Sequence, residues 1–234
     1  MLICFNNQAQ INKVYMISFF AQREIDPGDF GTGLKSSIMY LTKDTTFKTE
    51  KLIQNFYTKF MSDFAPKFPF PIITGDEAWT VNGYSNLLDG ILVSYKKEEV
   101  SSIGKSIPII GAGVITNEGA IGKSITLYPD ADAVMTVQLF YRLSKQLEIA
   151  GMGTAKVFAY AEVRIYDKGS SSSAKFKLSS KAKSDDSFTF ALGGSVFETA
   201  IIQKLIEQAT TNLFKEMDED FPKQIKKMEK KLKK

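Results

Sequence analysis

The chain is predicted to be an α+β protein: a mainly antiparallel sheet with a three-stranded meander and two main helices packed on one face. Three observations carry that expectation. Residues 134–143, 155–166 and 174–181 alternate apolar and polar side chains, the signature of strands with one buried face. Gly151-Met152-Gly153 and the run from Gly169 to Ser173 separate them, and short breaks of this kind suit antiparallel neighbours. Two long stretches, residues 47–64 and 197–217, instead repeat apolar residues every three or four positions, as helices do.

Taken in order, residues 1–10 are polar after Cys4 and read as a tether. Residues 13–21 are apolar almost throughout, which predicts a strand buried on both faces. Asp26-Pro27-Gly28-Asp29 and Gly31-Thr32-Gly33 form a turn-rich loop, and residues 37–41 suit a short strand. Asp44, Thr45 and Thr46 stand ready to cap the first helix, whose stripe is Leu52, Ile53, Phe56, Tyr57, Phe60, Met61 and Phe64. Pro66 and Pro69 end it, and residues 70–74 suit an edge strand. Residues 87–97 read as a strand with a bulge at Gly90. Residues 100–127 are rich in Gly, Ile and Ser without a clean period, either a mobile apolar loop or a partly formed hairpin.

In the meander, Val157, Ala159, Ala161 and Val163 share the buried face, small enough for helices to lie close across it. Ser195 and Glu198 have the spacing of a capping box. Phe197, Ile201, Leu205, Ala209, Leu213 and Met217 then follow at four-residue steps. Asp218, Glu219, Asp220 and Pro222 interrupt that helix. The organisation expected is a tether (1–10), a single α+β domain (11–221, with a loop or insertion at about 100–127) and a basic tail (222–234).

Composition narrows the chemistry. Hydrophobic content is 44% and charged content 24%, as in soluble globular proteins. No apolar run reaches the roughly 18–20 residues that cross a bilayer as a helix. No export segment precedes Cys4, which leaves a cytosolic protein or an exported one whose signal has been removed. One cysteine and no histidine exclude an intrachain disulfide, Cys-x-x-Cys sites, Ser-His-Asp and Cys-His catalysis and the usual zinc sites. The net charge of +4 resides in the tail: residues 223–234 hold seven Lys and one Glu, so the rest of the chain sums to −2. A uniformly basic body, expected of a nucleic-acid-binding domain, is absent.

No motif reaches the specificity of a catalytic site. Gly31-Thr32-Gly33, Gly111-Ala112-Gly113 and Gly151-Met152-Gly153 lack the third glycine and the strand–helix setting of a dinucleotide fingerprint. Asp130 and Asp132 are close enough in sequence to share a metal or proton, but Asp at a strand entry more often ends a turn. Asp185-Asp186 and Glu98-Glu99 are most simply solvated loop charges. Trp79 and the many Phe residues serve as core more often than as ligand platforms. The lysine candidates for anionic-surface contact are Lys223, Lys226, Lys227, Lys230, Lys231, Lys233 and Lys234. Ile225, Met228 and Leu232 share a helical face among them, as in a basic amphipathic segment; a disordered solubilising tail is the alternative.

Ala131-Asp132-Ala133-Val134 entering one strand, and the run from Val163 through Asp167 to Gly169 closing the next, resemble motifs of small bacterial envelope lipoproteins related to CsgG, LpoB and the TolB N-terminal domain. The likeness runs from about Lys13 to Met217. Residues 100–127 depart from the common core, and the long transmembrane extensions of pore-forming relatives are not evident. The resemblance implies a non-catalytic lipoprotein of the periplasm or outer membrane, without cofactors, acting by contact with another envelope protein or with a membrane surface, and not on nucleic acid. It makes Cys4, at the start of the tether, a lipidation candidate; an incidental thiol in a cytoplasmic protein is the other reading. Two further hypotheses stand beside it. One is a carrier of a small apolar ligand between helices and sheet, using Phe56, Phe60 and the Gly/Ile-rich loop. The other is a hydrolase or transferase using carboxylates and Lys.

Overall fold

The structure, a computed structural model, describes residues 11–28, 30, 48–87, 100–107, 120–168, 173–191 and 198–232. Cys4, residues 31–33, the expected strand at 37–41, the expected strand at 87–97 except Leu87, residues 108–119 of the Gly/Ile-rich segment, the cap candidates Asp44, Thr45 and Thr46, Ser195 of the capping box, and Phe197 lie outside these residues. The elements are β1 (Val14–Asp26), α1 (Glu50–Lys59), β2 (Ile72–Ile73), α2 (Asp76–Trp79), β3 (Val100–Ser102), α3 (Ala120–Leu127), β4 (Ala133–Ile149), β5 (Met152–Asp167), β6 (Phe176–Lys183), β7 (Phe188–Ala191) and α4 (Thr199–Leu232).

The sheet is mixed, which corrects the expectation of a mainly antiparallel one. Its order is β2-β1-β4-β5-β6, with β3 beside β1 and β7 beside β5. β4 to β5 and β5 to β6 are antiparallel, but β1 runs parallel to both β2 and β4. The physical reason lies in β1. A strand buried on both faces needs neighbours and cover on every side, and β1 sits inside the sheet with all residues from Val14 to Ala21 buried. Parallel pairing with β4 requires a long crossover, and residues 27–132 supply it.

The helices are not confined to one face either. On the inner face, α1 and α4 cover Val14, Met16, Phe19 and Ala21 of β1, every second residue of β4 from Met135 to Leu143, and every second residue of β5 from Ala155 to Ile165. Tyr15, Ile17, Val134 and Tyr166 point the opposite way, into a second core with Ala78, Trp79, Tyr84, Ile107, Ile121 and Tyr128. That outer layer is built from segments without clean periodicity in the sequence, including α3, where a loop or hairpin was expected.

One bulge explains why the outer layer sits where it does. Met16 pairs with Met135 and Ser18 with Thr136, so Ile17 is an extra residue in β1. Bulging releases backbone groups from the ladder, and the outer layer takes them up. The Trp79 indole N–H donates to the Met16 carbonyl at 2.7 Å, the Tyr84 hydroxyl donates to the Ile17 carbonyl, and Ser18 Oγ donates to the Ile107 carbonyl. Tyr84 Oη also accepts from the Ile107 N–H at 2.8 Å.

α1 carries its stripe as expected but ends earlier. After Lys59 the turn widens to a π-helical stretch through Phe64 and tightens to a 3-10 turn at Ala65–Lys67, where Pro66 sits. Widening places Phe60 and Phe64 in the core together. α4 differs at both ends. Steps of four residues precess by about 40° each on a helix of 3.6 residues per turn, so Ile201 turns outward, 43% exposed. The buried line runs instead through Ile202, Leu205, Ile206, Ala209, Leu213, Met217, Phe221, Ile225 and Met228. The helix passes through Pro222 without stopping. An interior proline costs about 3 kcal/mol, while each fully buried Leu, Ile or Phe contributes about 1.5–3 kcal/mol; Phe221 and Ile225 on either side of Pro222 outweigh the break.

Ala155, Ala159 and Ala161 of β5 and Ala182 of β6 lie in this inner core beside α4. Replacing Ala159 or Ala161 by Leu is expected to overpack that contact and cost about 1–3 kcal/mol, measured by urea denaturation; wild-type stability in both variants would contradict the face assignment. Trp79→Phe keeps an aromatic ring but removes part of its buried volume and strands the Met16 carbonyl, and should cost at least about 1–3 kcal/mol, while an exposed control such as Lys123→Gln leaves the midpoint unchanged.

Candidate functional site

β6 is an outer strand of the sheet. Its alternation is strict: Phe176, Leu178, Ser180 and Ala182 are buried and Lys177, Ser179, Lys181 and Lys183 are exposed. An edge of this kind leaves backbone groups unpaired, and α4 runs along it and answers several of them with side chains. The Gln224 amide accepts from the Ser179 N–H at 2.9 Å and donates to the Ser179 carbonyl at 2.7 Å. Asn212 donates to the Lys183 carbonyl at 3.1 Å. Asp220 accepts from the Ser180 hydroxyl at 2.9 Å.

These contacts hold α4 at a set height above β6, and so bring together lysines far apart in the chain. Lys175 and Lys177 from the β6 side, and Lys223, Lys227 and Lys231 from α4, line a groove of ≈ 530 Å³ whose only carboxylate is Asp220. Positions 223, 227 and 231 are successive i, i+4 neighbours on one helix side. Lys175 is ion-paired with Asp167 at 2.7 Å and Lys177 with Glu162 at 2.5 Å, whereas Lys223 only approaches Glu219 at 3.8 Å. Among the described residues no carboxylate comes within ion-pair reach of Lys227 or Lys231. Along the same edge, Lys156, Lys181, Lys183 and Lys215 line a further groove with Asp185 and Glu216. The result is a basic seam along β6 and α4.

Of the lysines singled out from the sequence, Lys223, Lys226, Lys227, Lys230 and Lys231 stand on the solvent side of α4, and Lys233 and Lys234 lie outside the described residues, as does Cys4. The apolar triplet among them has another use. Ile225 and Met228 are buried and Leu232 packs against the core, so the stripe read as amphipathic faces the sheet. Lys175 and Lys177 were missed because β6 reads as an ordinary half-buried strand; only its position beside α4 enlists them.

The other sequence candidates serve the fold. Asp132 Oδ2 accepts the N–H groups of Asn12 at 2.8 Å and Lys13 at 3.0 Å. Asp130 pairs with Lys13 Nζ and accepts from the Tyr15 hydroxyl; Lys13 holds its carboxyl below the usual carboxylate range. Both aspartates thus clamp the start of β1 to the entry of β4. Asp186 is held low chiefly by Lys204, then by Gln208. Phe56 and Phe60 spend their ring surfaces on Phe19, Phe214 and Phe64. A cleft of ≈ 400 Å³ between α1 and α4 is lined by charges of both signs, Lys48, Lys51 and Glu207.

No protein-family model matches the chain, and no curated protein matches it. Among solved structures, the hypothetical protein CT253 of Chlamydia trachomatis is similar at 10% identity, with 92% of this chain and 98% of that one covered and a TM-score of 0.37. The lipoprotein GNA1162 of Neisseria meningitidis is similar at 7% identity, covering 86% of this chain and 96% of that one, with a TM-score of 0.32. Both likenesses are long but loose in geometry, and neither is to CsgG, LpoB or TolB.

Gln224→Ala should free the Ser179 N–H and carbonyl at the sheet edge. Hydrogen exchange is expected to speed at Ser179 while Val163, inside the sheet, keeps its protection; unchanged exchange at Ser179 would mean the helix does not close that edge.

Proposed function

We propose that this chain is a non-catalytic cell-envelope protein that works by contact, holding an anionic bilayer surface with the basic seam of β6 and α4. The observation that carries the reading is the convergence of Lys223, Lys227 and Lys231 with Lys175 and Lys177 around one groove with a single carboxylate. Seven closely spaced lysines on a disordered tail attract anions without orienting the protein. Lys223, Lys226, Lys227, Lys230 and Lys231, on a packed helix, present charge from a rigid face, so binding also sets orientation. Their helix lacks aromatic residues to stack bases and Arg to read them from residue 222 onward, which disfavours nucleic acid as the partner. The envelope setting and an anchor at Cys4 belong to the resemblance carried by Ala131-Asp132 and by the turn from Val163 to Gly169; mass spectrometry of the N-terminal peptide from native membranes tests the anchor.

Each lysine near an anionic bilayer contributes about 1 kcal/mol at close range, reduced by screening. Lys223→Gln, Lys227→Gln and Lys231→Gln together should therefore lower binding to anionic vesicles at least tenfold at low salt. The same charge change at Lys48, Lys51 and Lys123 should leave it within twofold. Co-sedimentation of the soluble protein without a lipid anchor measures this, and equal losses in the two triple variants would remove the seam from the mechanism.

A further inference from the structure

At the far end of the sheet from the tail of α4, the β4–β5 hairpin carries an apolar tip. Ala150 and Gly151 form its two-residue turn, both with positive φ (50° and 80°), the geometry that tight hairpins favour. Four large apolar side chains are recorded as exposed among the described residues, and three are here: Leu147 at 58%, Ile149 at 67% and Met152 at 65%. Lys145 pairs with Ala155 but Leu147 pairs with Thr154, so Gln146 is an extra residue in β4. A one-residue slip moves every later side chain to the other face. Leu147 and Ile149, which would have continued the buried line of Leu139, Tyr141 and Leu143, are thereby put on the outer face with their partners Thr154 and Met152.

Behind the tip on that face the pairs are Ser144–Lys156, Arg142–Phe158 and Phe140–Tyr160, with Lys183 beside Phe158 and Lys181 beside Tyr160. Asp26 lies 3.6 Å from Arg142. The aromatic rings stack on one another, Phe140 on Tyr160 at 4.8 Å and Phe158 against Tyr160 at 6.3 Å. The three half-buried rings thus contact one another along the sheet. What remains is an aliphatic tip with a collar of cations behind it.

We infer that this hairpin tip dips into the interfacial layer of a lipid bilayer, with Leu147, Ile149 and Met152 below the headgroups, Lys156 at the level of the phosphates, and Lys183 and Lys181 farther back along the sheet. Three features favour lipid over a second protein surface. Three exposed side chains at a hairpin turn fall far short of the roughly 800 Å² per partner that a stable protein interface buries; a bilayer needs no complementary surface. From Met152 to Lys156 the strand rises about 14 Å at about 3.4 Å per residue, enough to sink the tip about 5–10 Å while Lys156 stays at headgroup level. The collar is complementary to phosphate oxygens. Depth is limited by the backbone: β1 pairs with β4 only as far as Arg142, and among the described residues no strand pairs with that edge of β4 beyond it, leaving groups that hydrocarbon would not satisfy. Leu147, Ile149 and Met152 lie outside the lysine seam. Lys156, Lys181 and Lys183 also line its second groove, but the apolar tip is tested apart from Lys223, Lys227 and Lys231, so this inference stands or falls separately from the proposed function.

The test uses the full-length soluble protein with vesicles of zwitterionic lipid alone and of zwitterionic lipid mixed with anionic lipid, at low and high salt. The wild type and the Lys223/Lys227/Lys231→Gln variant should both retain binding to zwitterionic vesicles at high salt. Leu147→Ser, Ile149→Ser and Met152→Ser together should lose it at least tenfold, with an unchanged circular dichroism spectrum. In a second measurement, Ile149→Trp should be quenched by lipids brominated on the acyl chain, while Lys215→Trp is not. No salt-resistant binding by the wild type, or no quenching of Ile149→Trp, would overturn the inference. So would a change of oligomeric state in the serine variant without lipid, since the tip would then join copies of this chain.

Discussion

The packing of α4 on the small-residue face of β5 and β6 is the contact on which most of the molecule depends. Ala155, Ala159, Ala161 and Ala182 keep that face low, and the helix fills it with Leu205, Ile206, Leu213, Met217 and Phe221. The same contact brings Phe214 against Phe56 and Phe221 against Phe64, with ring centroids 6.2 and 5.2 Å apart. α1 is thus held partly by α4. Buried polar groups at the contact are answered too: Thr210 Oγ1 donates to the Ile206 carbonyl and accepts from the Tyr141 hydroxyl at 3.0 Å. Burial raises the pKa of that hydroxyl well above its ordinary value, and the neutral phenol remains a donor.

Because α4 is fixed by its apolar side, its polar side becomes a position as well as a charge. Gln224, Asp220 and Asn212 set its distance from β6, and the lysines follow at helical intervals. Two properties that read as unrelated in the chain, a basic run and an edge strand, are therefore one surface. The lysines also guard the edge itself, since charged side chains along an outer strand discourage pairing with another chain.

Irregularities in the sheet decide the rest. The extra residue Ile17 in β1 frees carbonyls that Trp79 and Tyr84 satisfy, which positions the outer layer over one half of the sheet. The extra residue Gln146 in β4 turns Leu147 and Ile149 away from the core at the other half. One bulge thus buries a surface and the other exposes one, each by changing which way a short stretch of side chains points.

Local patterns in the sequence determined a good deal. Alternation located β4, β5 and β6, the apolar run from Lys13 to Ala21 announced a strand covered on both faces, and three-to-four spacing located α1 and α4. These are properties of a residue and its near neighbours, so they survive without knowledge of the fold. The motif residues Asp132 and Asp167 prove to be fasteners of the fold, Asp132 accepting N–H groups at the distant start of β1 and Asp167 pairing with Lys175. The parallel pairing of β1 with β4 was not legible, because strand direction depends on a crossover of about a hundred residues and not on alternation. The outer layer was not legible, since α2, α3 and Tyr84 have little periodicity of their own and are held by β1. The site was half legible: the lysines of α4 show as a charge run, but Lys175 and Lys177 join them only when a helix nearly fifty residues later lies along β6. The exposure of Leu147 and Ile149 was hidden altogether, because a single unpaired residue in a ladder reverses the faces and leaves no mark on composition or period. Tertiary structure alone decided those points, since each depends on which backbone groups pair across the sheet.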